Sequence, residues 1–156
     1  MRAAIAFAPL ALLATSCGGK AADPYAKSLA LGSEHIEIKG WVADGTKRVP
    51  ISASGDFTNQ PDRGTLTIHQ QGATLHEVFD RNTVYLRAGK KWVSQPVNTK
   101  MAQTPAQMFR ARKPARIVNG RVVHIQQTTS SGSISINFSR YGEKVSVTIP
   151  RVKGSK

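Results

Sequence analysis

Arg63-Gly64-Thr65-Leu66-Thr67-Ile68-His69-Gln70 alternates Leu66 and Ile68 with Thr65, Thr67 and His69, then runs through Gln71-Gly72 into a second extended stretch, Thr74 to Asp80. Apolar residues at every second position mark a strand with one dry face and one wet face. A polar-glycine pair between two such runs marks a hairpin turn. The same pattern continues in both directions. Upstream, His35-Ile36-Glu37-Ile38-Lys39 alternates up to the turn signal Asp44-Gly45, and Pro50 to Phe57 reads as the strand after it. Downstream, Arg81-Asn82 turns into Thr83 to Arg87, and Gly89-Lys90 into the short strand Lys91-Trp92-Val93. Asn119-Gly120, the strongest short hairpin dipeptide, joins Arg116-Ile117-Val118 to the run from Arg121 to Gln127. Ser131-Gly132 turns into Ser133 to Phe138, with Ile134, Ile136 and Phe138 on one face. Gly142 turns into Lys144 to Ile149, with Val145, Val147 and Ile149 on one face.

The rhythm breaks once. Asn98 to Ala111 holds helix formers, with Met101, Met108 and Phe109 as its apolar content and Pro105 inside it, which predicts a helix starting near Thr104. The chain therefore reads as mainly β: a curved antiparallel meander sheet with one short helical segment. The dry face of such a sheet must be covered. Many strand residues point inward and little helix is present to cover them, so a groove or cavity follows; a tight small barrel is the alternative. Ile36, Ile38, Leu66, Ile68, Val84, Leu86, Ile134, Ile136 and Phe138 are the expected wall, with Met101, Met108 and Phe109 as its lid.

The first sixteen residues, MRAAIAFAPLALLATS, place one cation, Arg2, before an apolar run from Ala3 to Ala14. The run has the length of a secretory signal and is shorter than the ~20 residues a membrane span needs. Small residues then lead into Cys17-Gly18-Gly19, which resembles a bacterial lipoprotein signal, with Ala14 where such signals usually have Leu. That resemblance implies diacylation of Cys17, the single thiol of the chain. An ordinary signal peptide with an incidental cysteine is the alternative. The expected organisation is a signal helix over residues 1–16, lipidated Cys17 with a tether over 17–32 that includes a short helical turn at Tyr25 to Leu31, a β domain over 33–150, and a basic tail over 151–156. Acyl chains on Cys17 would anchor the domain to the extracytoplasmic face of the cell membrane.

At 156 residues the chain is one domain, and 40 % apolar content is enough for a core. One cysteine excludes a disulfide framework and a Cys-built zinc site. Lys and Arg total 22 against 9 acids, a formal charge of +13, which forecasts an anionic partner or surface. Between Arg81 and Gly142 there are eleven basic residues and no acid. The densest group, Arg110, Arg112, Lys113 and Arg116, is the candidate basic face, suited to an anionic lipid or glycolipid headgroup. Nucleic acid, the other usual partner of a basic stripe, is disfavoured by the export signal and by the lack of stacking motifs. His35, His69, His76 and His124 show no metal-ligand spacing, and no nucleophile elbow, phosphate loop or dinucleotide fingerprint occurs. The residues thus support no enzyme, no metal and no cofactor.

Gly32 to Glu37, Ser54-Gly55-Asp56-Phe57, Thr83 to Arg87 with Lys91-Trp92-Val93, and above all Phe138-Ser139-Arg140-Tyr141-Gly142 through Val145-Ser146-Val147 to Pro150 carry a family likeness by their order and spacing. The chain resembles the actinobacterial envelope lipoproteins grouped with LppX and LprG, within the LolA-like and LolB-like class. The resemblance implies a half-barrel sheet with helices across its concave face and a space for acylated lipids. The stretch from Trp92 to Asn119 is shorter than in that class, which makes this a shortened relative. Lipid binding or transfer in an apolar groove is the function so implied. A non-catalytic envelope scaffold or accessory protein with a basic interaction face is the second reading.

Overall fold

The computed structural model describes residues 22–97 and 103–152; the segment read as a signal, Cys17 and Met101 lie outside the described residues. Among the described residues nine strands form one sheet: β1 (Ser33–Asp44), β2 (Lys47–Asn59), β3 (Asp62–Gln70), β4 (Ala73–Asp80), β5 (Thr83–Ala88), β6 (Lys91–Pro96), β7 (Ala115–Val118), β8 (Arg121–Thr129) and β9 (Gly132–Ser139). Their order across the sheet is β6-β5-β4-β3-β2-β1-β9-β8-β7. The first six strands are an unbroken antiparallel meander. The chain then crosses to the opposite edge, and β7 to β9 form a second meander, joined to the first where β9 pairs with β1. The mainly β antiparallel class read from the alternation is the class observed.

The turn chemistry follows the sequence. Gln71 and Gly72 have φ of 50° and 77°, and Asn119 and Gly120 have 51° and 69°. Two successive positive φ values give the turn whose twist matches that of the flanking strands.

Register sorts the side chains into rows on one inner face. Ile36 stands opposite Phe138 on β9 and Gly55 on β2; Gly55 then meets Leu66, Leu66 meets Glu77, and Glu77 meets Leu86. One row further along the strands runs Ile125, Ile136, Ile38, Ala53, Ile68 and Leu75. Phe57, Gly64, Phe79 and Val84 form the row at the other end. In β8, Val122 and Ile125 are both fully buried although three residues apart, because the register against β7 slips between Arg116 and Ile117 and Val123 is the extra residue.

Among the described residues two helices cover part of this face, each where a helical turn is expected. Helix α2 (Pro105–Arg110) starts where the sequence places it: Thr104 accepts from Gln107 N, and the Gln107 side chain accepts from Thr104 N, a reciprocal cap. It drives Met108 and Phe109 into the core, where the Phe109 and Phe138 rings lie 5.0 Å apart. Helix α1 (Pro24–Ala30) stands where the sequence places a helical turn at Tyr25 to Leu31, and residues 24–30 pack on the sheet instead of hanging free. Asp23 caps it, Pro24 opens it, and Tyr25 and Leu29 pack on the same core. Ser28, fully buried, accepts from Val122 N at 3.0 Å and donates to Pro24 O at 2.8 Å. The short lid supplied by α2 leaves apolar wall exposed beside β8 and β9, and α1 fills that space.

A second correction concerns Lys144 to Ile149. The alternation predicts a strand, but this segment joins no ladder, and residues 144–152 make no backbone–backbone hydrogen bond among the described residues. The reason is topological. Both sides of β9 are already taken, by β1 and β8, so a strand following it by a tight turn has no free edge. Arg140 and Gly142, with φ of 48° and 77°, swing the chain off the sheet instead. Ser33 holds it there, donating from its hydroxyl to Glu143 O at 2.6 Å and accepting at its carbonyl from Gly142 N at 3.0 Å. The segment becomes a strap over the outer face, with Val145 and Val147 beside Thr58, Pro61 and Arg63.

Candidate functional site

The helices lie over one end of the sheet, beside the β2–β3, β4–β5 and β7–β8 turns. A buried polar knot ties them there. Asn59 Nδ2 bonds Glu34 Oε2 at 2.9 Å and Leu29 O at 3.4 Å, while Thr104 Oγ1 donates to Asp62 Oδ2 at 2.8 Å. Burial pushes the Glu34 carboxyl up to about 8, against the lowering effect of the Asn59 bond and with a further push from Asp62. Glu34 is thus held as the neutral acid below that value, which lets a carboxyl sit inside an apolar core.

Among the expected groove residues, Ile36, Leu66, Val84, Ile136 and Phe138 are buried beneath the helices together with Met108 and Phe109. They are core. Ile38, Ile68, Leu86 and Ile134 are only partly buried and carry the apolar surface beyond the helical cover. There, on the β2, β3 and β4 side, the inner face opens into a hollow of about 480 Å³ lined by Ile51, Ile68, Gln70, Gln71, Ala73, Thr74 and Leu75. Ile51, Ile68, Gln70, Ala73 and Leu75 share the inner face by register. Leu75 and Ile51 are absent from the sequence-derived wall. Ile51 was legible from its alternation with Ala53, Gly55 and Phe57. Leu75 was obscured by Glu77, which occupies the same face two residues on. Glu77 stands between Leu66 and Leu86 in the ladder, and burial raises its carboxyl above the usual range.

The cluster proposed as a basic face sits at the helical end, away from the hollow. Arg110 lies 3.7 Å from Asp62 and donates to Asn59 O at 3.4 Å. Arg112 pairs with Asp23 and stacks over Tyr25, whose hydroxyl donates to Lys113 O at 2.7 Å. Arg116 is exposed on β7, opposite His124. Two of the four cations therefore pin α1 and α2 in place.

The histidines are dispersed along the strands. His69 stands opposite Thr74 and bonds its hydroxyl at 3.1 Å, His76 faces Thr67 at 3.3 Å, and His124 faces Asn137 at 2.9 Å. His35 pairs with Asp56 across β1 and β2 at 2.7 Å.

The arrangement offers an apolar wall, sealed at one end by two helices and open at the other. No family model and no curated protein matches the sequence. In three dimensions the chain is similar to the crystal structure of LprF from Mycobacterium bovis, with a TM-score of 0.51 and 12 % identity over 82 % of this chain and 93 % of that one. At that identity the likeness shows the fold: an open antiparallel sheet with helices on one face, the architecture expected from the resemblance to the LppX and LprG lipoproteins.

Proposed function

We propose that this protein is an envelope lipoprotein that binds or transfers lipid, anchored by acylated Cys17 to the extracytoplasmic face of the membrane, with an acyl chain taken up in the hollow of its inner face. One observation carries the reading. The helical cover ends before the apolar wall does, so Ile51, Ile68 and Leu75 border an open volume of about 480 Å³. Volumes of ≈ 300–1,000 Å³ with mostly apolar walls are typical of small-ligand sites. Apolar surface in such a site gains about 25 cal/mol per Å² when a chain covers it. The likeness to LprF, a fold built on the same kind of sheet, is compatible with this use and does not carry it. Native mass spectrometry of the purified chain tests it: adducts with masses of membrane lipids are expected. A lipid-free mass together with no uptake of a fluorescent fatty acid would overturn it.

A further inference from the structure

The open end of the sheet is made of the β1–β2, β3–β4, β5–β6 and β8–β9 hairpins. Lys47, Arg48, Arg87, Lys90 and Lys91 gather on the outer two of the first three hairpins, against a single acid, Asp44. None of these five cations forms an ion pair among the described residues. The ion pairs among the described residues are Arg63–Asp80, Arg110–Asp62, Arg112–Asp23 and Arg140–Asp56, all toward the helical end.

The same two hairpins hold both tryptophans of the chain, Trp41 and Trp92. Each is half-buried on the outer face and covered by a guanidinium: Arg48 lies 4.4 Å from the Trp41 ring centre and Arg87 5.1 Å from that of Trp92. Val93, next to Trp92, is 57 % exposed. The β3–β4 hairpin lies between the two Trp–Arg hairpins, and Gln70, Gln71, Ala73 and Thr74 on it line the mouth of the hollow.

We propose that this end is a docking surface for an anionic phospholipid bilayer, which sets the mouth of the hollow against the headgroups. Long-range attraction comes from the unpaired cations, each worth about 1 kcal/mol at an anionic surface. Short-range anchoring comes from tryptophan, whose ring has an apolar body and a polar N–H and so settles at the boundary between headgroups and acyl chains. The function of the docked state, passage of lipid between bilayer and hollow, rests on the lipid-groove reading above; docking itself does not.

The test uses the full chain with Cys17→Ser, so that acylation plays no part. Because Trp41 and Trp92 are the only tryptophans, their emission reports this end of the molecule alone. Phosphatidylglycerol vesicles are expected to shift the emission to the blue and to shield it from acrylamide. Phosphatidylcholine vesicles are expected to do neither, and added salt to reverse the shift. Lys47→Ser/Lys90→Ser/Lys91→Ser should weaken binding on the order of 100-fold, whereas Lys113→Ser/Arg116→Ser should leave it unchanged. An unshifted emission with phosphatidylglycerol, or equal binding by the triple variant, would overturn the proposal. A chain that docks yet takes up no lipid refutes the groove and leaves docking standing. A chain that takes up micellar fatty acid yet fails to dock refutes docking alone.

Discussion

Asn59 Nδ2 donates a 2.9 Å hydrogen bond to Glu34 Oε2 with both residues 1 % exposed, while Glu34 Oε1 and Asn59 Oδ1 find no partner among the described residues. A charged Glu34 at this position would face unpaired oxygens in a core. Its carboxyl is pushed from 4.5 to about 8, so the folded chain keeps a proton that the unfolded chain has lost. Stability must then fall as pH rises through that interval. Asp62 and Glu77, also raised by burial, add to the slope with the same sign. Denaturant midpoints are expected to decrease from about pH 5 to about pH 8. Glu34→Gln, neutral at every pH, should flatten the slope and exceed the parent in stability at the alkaline end. An unchanged slope in the variant would contradict this account of Glu34.

Gly55 sets how closely β2 and β3 approach under the core. A Cβ there would stand 1.9 Å from the Thr65 carbonyl oxygen, which is backbone and cannot swing aside. Gly55→Ala is expected to cost about 1–3 kcal/mol by denaturant titration, in the range of overpacked cores. Gly45, with open space around its own Cβ position, lacks this steric component.

Filling the hollow without touching the core separates binding from folding. Ala73 is exposed at the hollow's rim and Ile68 lies across from its neighbour Leu75. Ala73→Phe is expected to lower fatty-acid uptake about tenfold or more, since a ring there displaces apolar ligand contacts of about 25 cal/mol per Å². Its melting temperature should stay at the parent value. Full uptake by the variant would place the ligand elsewhere.

The strap over the outer face has half-buried Val145 and Val147 and no backbone ladder. Segments with few contacts and free backbone open first. Limited trypsin digestion is expected to cut at Lys144 or Arg151 before any site within β1 to β9, leaving the far-ultraviolet β signal intact. First cleavage inside a strand would show the strap to be as firmly held as the sheet.

Much of this architecture was legible because local signals and tertiary demand agree. Gln71-Gly72 and Asn119-Gly120 name their turns, Leu66 and Ile68 name their face, and Thr104-Pro105 names a helix start. The failures share one cause: pattern reports what a segment can do, and topology decides what it does. Val145, Val147 and Ile149 alternate as well as any strand, yet β9 had no free edge to offer. Asp23-Pro24 is a good helix start, but only the uncovered wall at Val122 and Ile125 explains why α1 packs down. For the site, the alternation found Ile38, Ile68, Leu86 and Ile134, but it gave no way to tell which inward residues the helices would seal. Arg110 and Arg112 looked like a free basic face because their acids, Asp62 and Asp23, are distant in sequence.

The central claim is that an acyl chain lies against Ile51, Ile68 and Leu75. Isotope-filtered nuclear magnetic resonance of the Cys17→Ser chain with an unlabelled fatty acid tests it directly. The account predicts cross-peaks from the acyl methylenes to the methyl groups of those three residues and few to Ile36 or Ile136, which the helices seal. Absence of such cross-peaks at saturating ligand, or contacts confined to the strap side of the sheet, would contradict it.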